Sequence, residues 1–441
     1  MSAADLAERI ARSARQRTEG AEVRTADVLD WLGDRRRSNG FRVEPVPFDA
    51  QEDWSFDPVT GNLRHRSGGF FAIEGLRATV DDDPAARWEQ PVLRQPEIGI
   101  LGLLAKDIDG VLHLLVQAKM EPGNPGLVQL SPTVQATRSN YLRVHRGARV
   151  RYVEHFTAEH RDTLVDVLQS EHGSWFYQKA NRNMVVETTA DVPAHEDFRW
   201  LTVGQLGELL RHDNVVNMDA RSILACLGAA TTPDPELLFW ITAERSRRRL
   251  ATERIPLSEV GGWVREADRI TRPDGRFFRV ETVRVEAGNR EVRSWHQPLF
   301  APVNRGVCAF LTRRAPAGPQ VLAAARVEGG FRDTVELGPT VQCQPDSHPV
   351  PPPFLAAVLG AAPDRICYEA VHAEEGGRFR DAESRYLFVE APDDVAAAEP
   401  PPGFRWVAPE RLSALLWHGN YVNVQARTLL ACLTTGAAEV W

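Results

Sequence analysis

Two stretches of this chain carry one pattern twice. FRWLTVGQLGELLRHDNVVNMDARSILACL, from Phe198, returns as FRWVAPERLSALLWHGNYVNVQARTLLACL, from Phe404, at an offset of 206 residues. At an offset of 207, Phe70-Phe71 meet Phe277-Phe278, Trp88, Gln90 and Pro91 meet Trp295, Gln297 and Pro298, and Pro132-Thr133-Val134-Gln135 meet Pro339-Thr340-Val341-Gln342. Pro47 and Trp54 meet Pro256 and Trp263 at an offset of 209. Two copies of one pattern of apolar positions must solve the same burial problem, so the chain is expected to hold two units of one fold.

The pattern divides the chain into a polar N-terminal arm over 1–25, a first unit over 26–230, a linker over 231–235 (TTPDP) and a second unit over 236–441. The arm is Ala/Arg/Glu-rich and has no obvious fixed partner. From Ala26 the spacing of Val28, Leu29, Trp31 and Leu32 predicts a covering helix. Alternation and aromatics around the turn Thr60-Gly61-Asn62 predict strands. Two apolar runs, 98–106 and 111–118, flank Asp107-Ile108-Asp109-Gly110, a hairpin signal because Asp-Gly tolerates the positive φ of a tight turn. A further strand pair is expected over 148–156 and 183–189, and two short helices close each unit. The fold class is α+β, two tandem units of mixed sheet with covering helices.

Charge and cysteine remove several function classes. The net charge of −8 and the pI near 5.9 speak against a general nucleic-acid binder, which needs a basic surface to neutralise phosphates. The N-terminus has no signal-peptide core, and no apolar run approaches the ~20 residues that span a bilayer, so a cytoplasmic protein without membrane contact is expected. Cys226, Cys308, Cys343, Cys367 and Cys432 form no C-x-x-C pair. Buried structural thiols, and no metal site, are the expectation.

The chemistry concentrates in 117–141, QAKMEPGNPGLVQLSPTVQATRSNY. It leaves the end of the predicted hairpin, so a rigid sheet aims its charges, amides, hydroxyls and phenol. QAKMEPGN followed by QLSPTVQATRSNY, then SWFYQKANRNMVVE, the VNMDARSILACL ending, and a second half carrying ELGPTVQ and EEGGRF resemble the NDP-hexose 2,3-dehydratases. The resemblance runs from Ala26 to Leu433. It implies a Nudix-like fold for each unit, duplication, a homodimer, and a dTDP-4-keto-6-deoxyhexose as substrate. It also implies an unstable product that a partner 3-ketoreductase must trap.

The implied reaction needs three protein roles: a base for C3–H, a donor to the developing charge on the C4 oxygen, and an acid for the departing 2-hydroxyl. No net redox occurs, no G-x-G-x-x-G is present, and no cofactor is expected. Lys119 is a candidate donor, Tyr141 a candidate acid, and Glu121 or His65 the base. His155 suits a structural role better. Diphosphate candidates are Arg138, Arg143, Lys179 and Arg182, since guanidinium forks and ammonium charges match phosphate oxygens. Trp175 or Tyr141 could stack on a base. Further substrate contacts are expected from Trp88, Gln117, Asn124, Gln129, Ser131, Thr133, Gln135, Thr137, Ser139 and Asn140.

The second half departs from the first: Arg326 stands at the position of Lys119, Phe331 at that of Asn124, and CQPDSHPVPPPF follows where the first half has ATRSNY. The first unit is therefore expected to catalyse. A second pocket, with Arg326, Glu328, Thr340, Gln342, Arg378, Arg385 and Trp295, would bind a nucleotide sugar or support the dimer. Two alternatives compete. A Nudix-type pyrophosphatase would need the motif G-x5-E-x7-R-E-x-x-E-E-x-G, which neither half has. A non-catalytic nucleotide-sugar binding protein would leave its ligand unchanged.

Overall fold

A computed structural model describes residues 3–83, 86–137, 150–159, 161–193, 195–228, 234–288, 293–347 and 350–440. Each repeat contributes one large mixed sheet. In the first, the strands run Asp162–Ser170, Ala180–Glu187, Ile100–Ile108, Val111–Met120, Phe198–Thr202, with Val128–Pro132 and Val134–Ala136 added beside the central hairpin. Ala180–Glu187 is parallel to Ile100–Ile108, while the other pairings are antiparallel. The second large sheet repeats this plan around Gly306–Ala315 and Gly318–Arg326, again with one parallel pair. The first hairpin turns as expected, with Asp109 and Gly110 both at positive φ and the Gly110 N–H donating to Asp107.

The helices Met218–Leu227 and Val424–Thr434 pack on each other between the large sheets. Each is capped by an asparagine, Asn217 or Asn423, whose side chain accepts from the N–H three residues on. Their arginines are fully buried and reach into the opposite repeat. Arg221 donates to Val216 O, Ala373 O and Thr428 Oγ1, and Arg427 donates to Val422 O, Ser170 O and Ser222 Oγ. One apolar core runs across both repeats, from Leu101 and Val185 to Phe310 and Phe388.

The two smaller sheets show that the repeats are interlaced. Strand Phe41–Val46, from the first repeat, pairs with Phe278–Ala287 of the second. Strand Leu250–Ile255, from the second repeat, pairs with Ala72–Val80 of the first. Each repeat has thus exchanged its first strand with the other, and neither small sheet is made from one half of the chain.

Several local expectations need correction. The N-terminal segment is docked: helix Ala3–Arg15 buries Ile10, and the buried Ser13 hydroxyl donates to Leu112 O and accepts from the Val203 N–H. Leu6, Ile10 and Ala14, spaced four residues apart, form the stripe that packs on the core, a helical signal present in the sequence. In helix Thr25–Ser38 the buried face is Val28, Trp31, Leu32 and Arg35, whereas Leu29 is exposed. Of the expected linker, 231–233 lie outside the described residues, and Asp234 and Pro235 already cap and open helix Pro235–Arg247. No strand forms over the described part of 148–156. Val153–Thr157 is a helix there, because Val153 and Phe156 bury at helical spacing, and the strand begins at Asp162.

Candidate active site

Strand Val111–Met120 ends at Met120, and its neighbour Val128–Pro132 runs back beside it, placing Lys119 opposite Gln129 and Gln117 opposite Ser131. The Lys119 ammonium sits 3.1 Å from the Glu121 carboxylate, and both side chains are largely buried. Gln135 donates to Glu121 at 3.0 Å, Ser131 donates to Gln135 at 2.8 Å, and Asn217 donates to Ser131 at 3.1 Å. The helix cap, the sheet and the carboxylate are one polar chain. Glu121 Oε2, Asn124 Oδ1 and both side-chain heteroatoms of Gln129 are buried without a hydrogen-bond partner among the described residues, as expected of groups that face a ligand or water.

A second wall comes from strand Ala180–Glu187 and the residues before it. Lys179 donates to Glu97 O and to Asn181, which donates to Glu171 at 2.7 Å. Desolvation pulls the Lys179 ammonium down to about 8, against the attraction of Glu171 and Glu375. Asp219, in the first turn of helix Met218–Leu227, is buried, and its carboxyl is pushed well above the ordinary range by desolvation and then by Glu375, Glu171 and Glu121. Glu375 is raised to about 7 by desolvation, with Arg378 opposing and Glu121 and Glu171 adding.

Glu375 and Arg378 belong to the second repeat. The loops cross over: the Gly123 N–H donates to Gly376 O, and in the mirrored contact the Gly330 N–H donates to Gly173 O. A Cβ on Gly123 or on Gly330 would stand 1.7 Å from the carbonyl of Phe379 or Phe176, so only glycine lets these loops meet. Allotment of residues by chain half therefore fails. Arg378, expected in the second pocket, stands at the first cluster, donating to Gln95 and lying 4.3 Å from the Phe71 ring centre. Trp295 leans the same way, through Gln297, which donates to Gly377 O. Trp175, expected at the first cluster, stacks instead on His172, the second cluster's histidine, and touches Phe379. Trp88 faces Gly329, beside Glu328.

Other candidates are used internally. The Thr133 hydroxyl accepts from the Leu104 N–H at 2.9 Å and donates to Leu115 O, and Thr340 does the same between Leu311 and Leu322. These threonines staple the sheet, which explains why Pro-Thr-Val-Gln occurs in both repeats. Arg182 is forked onto Asp166, and Arg385 onto Glu369, each across the hairpin at the edge of its large sheet. His65 lies on the first small sheet, its ring against Trp54 and Phe70 and its Nδ1 2.7 Å from Ser67. His155 is on the helix Val153–Thr157. Thr137 is the last residue described before the gap, and Arg138, Ser139, Asn140, Tyr141 and Arg143 lie outside the described residues.

The second cluster is built differently. Glu328 is held by Gln342 at 2.7 Å, and Arg326 donates to Gln342 O. His172 sits 2.8 Å from Glu374, which also accepts from Tyr386. Ala382 stands where the first repeat has Lys179, and Gln425 where it has Asp219. Glu171, Asn181, Asn217, Asp219 and Glu375 are the residues that reading the sequence missed. The available signal was the set of positions where otherwise matched repeats differ in charge, Asp219 against Gln425 and Glu375 against His172. Among the described residues no group of His, Cys, Asp and Glu is arranged to hold a metal ion. The five cysteines are free thiols, with Cys226 and Cys432 buried as expected, and Cys367 exposed.

A sequence-family model described as NDP-hexose 2,3-dehydratase matches residues 25–227 and again 234–433. The chain is 53% identical to a dTDP-4-dehydro-6-deoxy-alpha-D-glucopyranose 2,3-dehydratase of Amycolatopsis orientalis, over 99% of this chain and 95% of the relative. Enzymes of the same name from Streptomyces violaceoruber and Saccharopolyspora spinosa are 48% and 44% identical, each over 93% of this chain and over 97% and 91% of their own lengths.

Proposed function

Because this chain belongs to the NDP-hexose 2,3-dehydratase family, we propose that it is a hydro-lyase acting on dTDP-4-keto-6-deoxy-D-glucose, and that the Lys119–Glu121 cluster is its reaction centre. The observation that carries the placement is the buried 3.1 Å pair itself. Glu121 serves as the base, with the Lys119 ammonium 3.1 Å away. When Glu121 takes the proton from C3, negative charge moves to the C4 oxygen, and the ammonium is already beside it to stabilise the enolate. The enolate then expels the 2-hydroxyl, C4 regains its carbonyl, and the resulting enol tautomerises to the 3,4-diketo-2,6-dideoxy sugar. Tyr141 and His65 remain the competing acid and base. Gln129 and Asn124, with their unpartnered buried atoms, are suited to hold sugar hydroxyls.

We read each repeat as Nudix-like, the working form as a cytoplasmic homodimer, and the product as passed to a 3-ketoreductase. The second cluster, with Arg326 for Lys119 and a histidine–glutamate pair, is read as a binding or supporting site. The test is mass spectrometry of the nucleotide sugar after incubation of the purified protein in deuterated water. Loss of one water with deuterium at C2, or free dTDP from the decomposing product, is expected. Substrate that binds but returns unchanged would make this a binding protein, and nucleoside monophosphate released only with Mg²⁺ would make it a hydrolase.

A further inference from the structure

Beyond the Lys119–Glu121 pair, the site holds a carboxyl that no step above uses, and it comes from the other repeat. A Cβ built on Gly377 would lie 2.6 Å from Glu375 Oε1 and 3.5 Å from Glu121 Oε1, so the two carboxyls, from different repeats, both border the small space beside Gly377. Asp219 borders the same cluster but is 2% exposed, inside the first turn of its helix. Glu375 is half-buried as a residue, less enclosed than Asp219. Glu121 Oε2 and Glu171 Oε2 are buried there without partners among the described residues, a second sign that this space receives a polar group. The matching position in the second cluster is His172, already paired with Glu374.

We propose that Glu375 is the general acid of the reaction, donated by the second repeat to the first repeat's site. This rests on the dehydratase reading given above. In the step, the C2–O bond breaks, its electron pair leaves with oxygen, and the oxygen takes the Glu375 proton to depart as water. The enolate electrons form the C2=C3 bond. Glu375 regains a proton from the C3 hydroxyl as the enol becomes a ketone, and the proton held by Glu121 goes to C2. The groups facing Glu375 are Arg378 on its own loop, Glu121 from the first large sheet, and Glu171 and Lys179 from the opposing wall. Desolvation and the two carboxylates outweigh the two cations and leave it a proton-holding acid near neutral pH.

The assignment separates two observable steps. With dTDP-4-keto-6-deoxy-D-glucose in deuterated water, Glu375→Gln is expected to lose water from the sugar about 100-fold more slowly than wild type. Exchange of C3–H for deuterium should continue within a few-fold, because the base is untouched. The fall of kcat as pH rises through the neutral range should flatten in Glu375→Gln and return in Glu375→Asp, which keeps a carboxyl. Unchanged elimination in Glu375→Gln, or exchange and elimination lost together, would overturn the proposal. So would a selective loss of elimination in Asp219→Asn with Glu375→Gln behaving as wild type. A wild-type protein that neither exchanges C3–H nor eliminates overturns the dehydratase reading itself, and this proposal with it.

Discussion

Arg427 offers the sharpest test of how the repeats are held together. Its side chain is fully buried, and its guanidinium satisfies Val422 O at 2.7 Å, Ser170 O at 2.5 Å and Ser222 Oγ at 2.9 Å. Two of these partners, Ser170 and Ser222, belong to the first repeat, and Ser170 directly precedes Glu171 of the Lys119–Glu121 cluster. Arg427→Met keeps much of the volume, so the cavity term is small. Two carbonyls are then left in the core without this donor, at about 1–3 kcal/mol each. Relief from burying a cation, whose ionisation burial already disfavours, returns part of that. A net loss of ~3 kcal/mol is expected. Equilibrium urea unfolding, followed by near- and far-ultraviolet circular dichroism together, should show the midpoint falling as one transition, since the core and the small sheets are shared. A loss below about 1 kcal/mol would refute the view that these charge-assisted bonds lock the repeats. Separate transitions for the two repeats would refute the interlacing itself.

Lys119→Ala should lower kcat about 10²- to 10³-fold with substrate binding largely kept, while Arg326→Ala stays within a few-fold of wild type; equal losses in both would move the chemistry to the second cluster. Thr133→Val should cost ~3 kcal/mol in urea unfolding by orphaning the Leu104 N–H and Leu115 O, and leave KM unchanged in the surviving folded protein. Gly123→Ala forces a methyl against Phe379 O and should abolish turnover, whereas Gly330→Ala should lower stability while sparing more activity. The Glu375 carboxyl holds its proton up to about 7 in the folded protein, against 4.5 as the ordinary value. The folded state thus binds more protons between those pH values, and stability should fall as pH rises across them. Urea midpoints measured at several pH values should show a smaller fall in Glu375→Gln.

Much of the large-sheet architecture was legible. The Asp-Gly hairpin, the asparagine-capped helices and the Pro-Thr-Val-Gln repeat depend on residues near one another in the chain, and local turn chemistry and capping speak through short spacings. The helix at Val153–Thr157 was not legible because Val150, Tyr152 and Phe156 also fit a two-residue period, and five residues are too few for length to decide. The N-terminal segment reads as a possible helix, with Leu6, Ile10 and Ala14 on one stripe, but its docking partners were not legible, since Ser13 meets Leu112 and Val203 far along the chain. The Lys119–Glu121 pair was readable, being two residues apart on a strand end. Its partners Glu171, Asp219 and Glu375 were not, since they meet only in space.

The sequence by itself determined that there are two copies of one unit, and where the copies diverge. What only the tertiary structure decided is who pairs with whom. Phe41–Val46 and Leu250–Ile255 occupy equivalent places in their repeats, so either can complete either small sheet with the same backbone hydrogen bonds. The same holds for the loops at Glu171 and Glu374. Duplication makes pairing within a repeat and pairing across repeats locally equivalent, and strand chemistry alone cannot choose between them. Packing of the two buried-arginine helices against each other brings each repeat's loop over the other's sheet. The crossing sets Glu375 and Arg378 of one repeat beside Glu121, Glu171 and Lys179 of the other.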